Sequence, residues 1–174
     1  MHRSHIQPAA SSDVSAWLRR HAEKIVNAAQ SRPVLEVACG TGRNGRFLAQ
    51  LGCEVIGIDI DISKTVTKEH FQARRMDLDA EPWPFRKGEL GGIIQVHFLR
   101  RSLFAWFAHS LVPGGFLLIE TVPGCGGNYL ELPRAGELSA QLAADFHLEA
   151  YREGKVGPPG TNAVTVRALA RRKQ

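Results

Sequence analysis

Val34-Leu35-Glu36-Val37-Ala38-Cys39-Gly40-Thr41-Gly42-Arg43-Asn44-Gly45-Arg46-Phe47-Leu48-Ala49 is the stretch whose reading decides the fold. An apolar run of β-branched and small residues stops at a glycine pair, and a helix-period pattern of Phe47, Leu48 and Leu51 follows at once. That order reads as strand, tight turn, helix. Gly40 and Gly42 allow backbone angles closed to other residues and let a ligand approach the main chain where a Cβ would intrude. The first turn of the helix adds unpaired N–H groups and the positive end of its dipole. Taken alone, Gly40-x-Gly42-x-x-Gly45 also fits a dinucleotide fingerprint, with Asp59 about where that fingerprint places an acid for ribose hydroxyls. Glu36 argues the other way. A carboxylate inside the strand ahead of the turn repels a pyrophosphate and welcomes an amino group.

The chain has 174 residues, of which 44% are hydrophobic, enough for one globular domain with a sizeable core. Residues 1–11 lack periodicity and are expected to be a flexible N-terminus, residues 12–171 a single domain, and residues 172–174 a basic tail. Met1-His2-Arg3-Ser4-His5 lacks the apolar centre of a signal peptide, and no apolar run nears the roughly 18 residues of a membrane span. The expectation is a cytoplasmic protein without a membrane partner. Cys39, Cys53 and Cys125 are odd in number and form no C-x-x-C pair, so they read as free thiols with no metal site. The formal charge is +5, with basic residues scattered rather than clustered among aromatics, and no nucleic-acid partner is expected.

Outward from the central stretch, an amphipathic helix capped at Ser12-Asp13 is expected to run through Trp17, Leu18, Ile25 and Val26 to about Gln30. The first strand is Val34 to Cys39, its helix Arg43 to Leu51, and the second strand Glu54 to Ile60. Strand, helix, strand with short links is a parallel crossover unit. A short helix from Ser63 to about His70, a third strand from Ala73 to Leu78 and a fourth from Gly92 to His97 come next. Leu111-Val112-Pro113-Gly114-Gly115 leads from a helix into a buried fifth strand. A helix from about Gly136 to Phe146 precedes two strands, Leu148 to Val156 and Asn162 to Arg171, joined as a hairpin around Gly157-Pro158-Pro159-Gly160.

In a parallel sheet a ligand lies beyond the carboxyl ends of the strands, so the residues there are the candidates. Asp59 can accept from both ribose hydroxyls, or cap the helix expected from Ser63. Asp77 can accept from an adenine amino group while the Leu78 backbone donates to the ring, or serve as a turn residue. His97 ends the fourth strand, where a neutral imidazole can take a proton near neutral pH. Arg100 and Arg101 stand just beyond, and a guanidinium at the rim can hold an anionic acceptor by paired hydrogen bonds. Tyr129 and Asn128 lie in a segment leaving the fifth strand, where loops gate sites.

Glu36-Val37-Ala38-Cys39-Gly40-Thr41-Gly42, Gly57-Ile58-Asp59, Asp77-Leu78 and Leu111-Val112-Pro113-Gly114-Gly115 resemble, in order and spacing, motifs of class I methyltransferases dependent on S-adenosylmethionine (SAM). The resemblance covers about residues 12 to 171. It implies an α/β Rossmann-like methyltransferase fold: a mostly parallel seven-stranded sheet with an antiparallel last strand and helices on both faces. It also implies SAM as cofactor, with Glu36 and the Gly40–Gly42 backbone at its methionine part, Asp59 at the ribose, and Asp77 with Leu78 at the adenine. Ala38, Asn44, Ile60 and Val96 complete the cofactor-binding set, and His97, Arg100 and Tyr129 form the catalytic one. Within the class the chain resembles small tellurite-resistance-type methyltransferases through Glu81-Pro82-Trp83-Pro84-Phe85, His97-Phe98-Leu99-Arg100-Arg101 and the Gly127 to Leu138 segment. From them it departs by a short lid after strand five.

The expected activity is in-line transfer of a methyl group to a small-molecule acceptor by a monomer or homodimer. The rivals are an NAD-dependent oxidoreductase and a SAM-binding module without catalysis. Alignment of the reacting groups can be worth roughly 7–11 kcal/mol of barrier, which is why such a reaction needs no elaborate catalytic constellation.

Overall fold

A computed structural model of the chain describes residues 13–122 and 132–174. Its elements in order are α1 (Ala16–Ala29), β1 (Val34–Val37), α2 (Arg43–Gln50), β2 (Val55–Asp59), β3 (Phe71–Arg75), β4 (Leu90–Val96), α3 (Phe104–Ser110), β5 (Leu111–Glu120), α4 (Glu137–Leu142), β6 (Phe146–Val156) and β7 (Ala163–Arg172). The seven strands form one sheet in the order β3-β2-β1-β4-β5-β7-β6. β1 to β5 pair in parallel, while β7 is antiparallel to both β5 and β6. The expected Rossmann-like sheet with a reversed end is therefore present.

β1 and β4 sit at the centre and are buried along their whole length because both of their faces are covered. On one face α1 and α2 bury Leu18, Ile25 and Leu48 against Val34, Ile94, Leu118 and Leu169. On the other, α3 and α4 bury Phe104, Phe107, Leu138 and Leu142 against Leu35, Ile93, Leu117 and Ile119. Order reverses between β1 and β4, the neighbours on which the crossovers leave to opposite sides, and this reversal opens a crevice at the carboxyl ends.

Several local expectations are corrected. No helix forms between Ser63 and His70, where the chain makes turns and an isolated bridge of Lys68 with Phe71. Thr65-Val66-Thr67 is a β-branched run poorly suited to helix, and the Thr65 hydroxyl instead donates to the Gly40 carbonyl at 2.5 Å. The third strand starts two residues earlier than expected because Phe71, fully buried, anchors it against α2 and leaves Asp77 beyond its end. Ser15 caps α1, not Ser12-Asp13: its hydroxyl accepts from the Leu18 amide at 3.0 Å. A short 3-10 turn at Arg101–Leu103 precedes α3. Nor does the C-terminus leave the domain as a separate basic tail. Arg172 ends β7, with its guanidinium donating to the carbonyls of Ala108 (2.8 Å) and Asp145 (3.0 Å), and Lys173 Nζ donates to that of Ala143 at 2.6 Å.

Backbones lie close together where the end of α1 meets β4. A Cβ built on Gly91 would stand 2.5 Å from Ala29 Cα and 2.6 Å from Ala29 O. Backbone cannot yield as a side chain can, so Gly91→Ala should lower stability by about 1–3 kcal/mol, read as a drop in the denaturant midpoint.

Candidate functional site

The crevice is lined by strand ends that the backbone itself turns away. Ala38 after β1 and His97 after β4 both take positive φ, 55° and 62°, an uncommon conformation for residues with a Cβ and one that collects at functional sites. Between β1 and α2 the three glycines have different reasons to be there. Gly40, at φ +53°, faces open space on the side where a Cβ would project. Gly42 is packed: a Cβ there would stand 2.5 Å from Phe71 Cε1. At Gly45 it would meet Phe71 and lie 2.6 Å from Glu36 Oε2. Only Gly40 therefore leaves a cradle into which a ligand fits.

Asp59 closes β2 and fixes the cradle's shape, its carboxylate accepting from the Gly40 amide at 2.8 Å and the Asp61 amide at 3.0 Å. Beside it Ile60 is 58% exposed, an apolar surface suited to a flat ring. Asp77 is half-buried and accepts from the Asp79 amide at 2.9 Å, so the turn role foreseen for it is realised, with Leu78 partly buried against the core. Val96 is buried at the β4 end.

Glu36 lies deeper than the sequence suggests, 2% exposed beneath the turn. It accepts from the Gly45 amide at 2.9 Å. Burial pushes its pKa up to about 8, against the opposing pull of the Gly45 amide, the Asn44 side chain and the Arg43 and Arg46 charges. Asn44 in turn accepts from the Ser15 amide at 3.0 Å. The Ser15 hydroxyl donates to Glu120 Oε2 at 2.5 Å, and Arg167 Nε donates to Glu120 Oε1 at 2.7 Å. A polar chain thus crosses the sheet tips from β1 to β7 by way of α2 and α1. Sequence reasoning missed Ser15, Glu120 and Arg167, since nothing in their spacing brings them together before the sheet order is known.

His97 donates its backbone amide to the Glu120 carbonyl at 2.7 Å, and its Nδ1 lies 3.4 Å from Arg43 Nη2. Burial lowers its pKa, the Arg43 and Arg167 charges lower it further, and only Glu120 pulls upward. Its imidazole is therefore neutral at pH 7. Arg100, expected to face an acceptor, is held by both oxygens of Asp79, with Nη2 2.9 Å from Oδ2. Arg101 pairs through Nε with Glu137 Oε1 at 2.5 Å. Tyr129 and Asn128 lie outside the described residues.

The arrangement accommodates SAM better than a diphosphate. A pyrophosphate at α2 would need the first-turn amides, and the Gly45 amide is already taken by a buried carboxyl group. The open Gly40 cradle, the carboxylate of Asp59 and the apolar face of Ile60 fit a ligand with an uncharged nucleoside end.

Comparison with known proteins agrees. Residues 34–115 match a family described as a methyltransferase domain. No curated protein matches the sequence. Among solved structures, an S-adenosylmethionine dependent methyltransferase from Mesorhizobium loti superposes with a TM-score of 0.64 at 16% identity, over 91% of this chain and 99% of that one. A TehB-like SAM-dependent methyltransferase from Corynebacterium glutamicum gives 0.61 at 21% identity, over 88% and 87%. TehB from Haemophilus influenzae gives 0.63 at 19% identity, over 88% of this chain and 62% of that one. Identities this low speak to the fold alone.

Glu36 supplies a test independent of any ligand. An acid whose folded pKa is raised from 4.5 to about 8 holds a proton that the unfolded chain has released, so stability falls as pH rises between those values. Between pH 5 and 8 the wild type should lose about 2–4 kcal/mol more than Glu36→Gln, measured by urea unfolding at each pH. Residues 34–115 thus match the methyltransferase-domain family, and the fold built around them is like that of solved S-adenosylmethionine-dependent methyltransferases.

Proposed function

We propose that the protein transfers the methyl group of SAM to a small-molecule acceptor by in-line displacement, with the acceptor seated over the ends of β4 and β5. The observation that carries this reading is the open Gly40 cradle flanked by the Asp59 carboxylate and the exposed face of Ile60, next to a neutral His97. Bound SAM supplies an electrophilic methyl group on a sulfonium. The chain's own residues have to hold that group and the acceptor in line and keep water out.

In this reading the Gly40 turn and Ala38 receive the methionine part and Asp59 the ribose hydroxyls. Ile60 covers the adenine, and Asp77 with the Leu78 backbone meets its edge. Glu36 and Asn44 act from beneath, fixing the first turn of α2. His97 accepts the proton of an acceptor that must lose one, and only orients an acceptor that arrives as an anion. Val96 forms the floor between them. Tyr129 is proposed to face the acceptor, and Arg100 supports the rim through Asp79. The tellurite-resistance-type kinship rests on the motifs around His97 and on the TehB-like structural neighbours, and is proposed as the subfamily. A cytoplasmic setting is part of the same reading, supported by the free thiols of Cys39 and Cys53.

Calorimetry tests the cofactor assignment directly: SAM and S-adenosylhomocysteine should bind, and NADH should not. Asp59→Ala should weaken SAM more than about tenfold, or about 1.4 kcal/mol, with the thermal transition kept; unchanged affinity would refute the ribose role. For an acceptor that loses a proton, kcat/KM should rise with pH through an apparent pKa below 6.5 and then level off. His97→Gln should abolish that inflection and lower kcat by about 100-fold or more.

A further inference from the structure

We infer that Arg167, delivered by the reversed strand β7 and aimed by Glu120, is the acceptor-binding residue, and that it selects acceptors bearing a carboxylate. The inference rests on the proposed seat of the acceptor over β4 and β5. Register is the first ground. Val96 pairs with Glu120 and Glu120 with Arg167, so the three stand in one row across β4, β5 and β7 at the carboxyl rim. His97 follows Val96 and is bonded through its amide to the Glu120 carbonyl.

The geometry of the guanidinium is the second ground. Its Nε is fixed on the Glu120 carboxylate, whose other oxygen takes the Ser15 hydroxyl. Glu120 is buried, with a side chain only 6% exposed, while that of Arg167 is 56% exposed. The terminal nitrogens of Arg167 have no partner among the described residues. A buried carboxylate thus grips one edge of the group and presents its two terminal donors to solvent, the fork that matches a carboxylate by two parallel bonds. Arg100, by contrast, has that fork filled by Asp79.

Third, the Arg167 charge reaches His97: with Arg43 it lowers the pKa of that ring. The groups facing His97 are therefore Arg43 from α2, Glu120 from β5 and Arg167 from β7, and the carboxylate among them is already spent on Ser15 and Arg167. An acceptor entering here meets a cationic rim. A carboxylate placed on Arg167 would leave the rest of the acceptor directed toward His97 and the cofactor.

The test uses the full chain saturated with S-adenosylhomocysteine, titrated calorimetrically in low-salt, chloride-free buffer with benzoate and with benzamide, its neutral isostere. Benzoate should bind about tenfold or more tightly than benzamide, and Arg167→Met should erase the difference while changing the affinity for S-adenosylhomocysteine by less than about twofold. Arg167→Lys, which keeps the charge but not the fork, should fold even if the methionine variant does not, and should lose most of the preference. Equal binding of the two probes, no binding of benzoate up to its solubility, or a preference that survives both substitutions would overturn the inference. Failure to bind S-adenosylhomocysteine at all would instead overturn the cofactor reading on which it stands, and the two failures are read from separate titrations.

Discussion

A carboxyl group buried under a bend governs this fold. Glu36 takes the Gly45 amide at 2.9 Å and so fixes the angle at which α2 leaves β1. The cost of burying an acid is met by keeping it largely protonated below pH 8 and by surrounding it with the Gly45 and Asn44 donors. From Asn44 the bonding passes to Ser15, Glu120 and Arg167, so the glycine turn after β1, the cap of α1 and the reversed strand are parts of one polar assembly. Apolar layers on both faces hold the sheet together, and this assembly sets the shape of its rim.

The glycine fingerprint shows why a motif needs its surroundings to be understood. Two of its three glycines are demanded by a phenylalanine on β3, twenty-six residues or more along the chain, and not by any ligand. Gly40 alone faces free space. A reading that assigned all three to cofactor contact would reach the correct class of fold for partly the wrong reason. Similarly, the Asp59 carboxylate belongs both to the turn, through the Gly40 amide, and to the crevice it faces.

Much of the architecture is legible in the sequence because its signals are local. Apolar runs bounded by Gly and Pro mark β1, β2, β4 and β5, and the hairpin of β6 and β7 announces the reversed edge. The Ser63–His70 segment misleads because its spacing suits a crossover helix, while its β-branched residues and the Thr65 bond to Gly40 favour turns. The rim is less legible than the sheet. Arg100 stands close to His97 in sequence and draws attention for that reason, yet Asp79 occupies it. Arg167 is seventy residues from His97, and only the antiparallel pairing with β5 brings it to the same row.

Reversal of β7 has one more result. A parallel strand would have ended at the rim and sent its connection onward to another element; β7 instead begins past it, with Thr121 and Val166 bonded to each other beyond the last β5 pair and the turn of residues 157–162 farther out still. That turn joins two strands already locked by ten residue pairs, so its length and chemistry are free to vary without disturbing the hydrophobic layers.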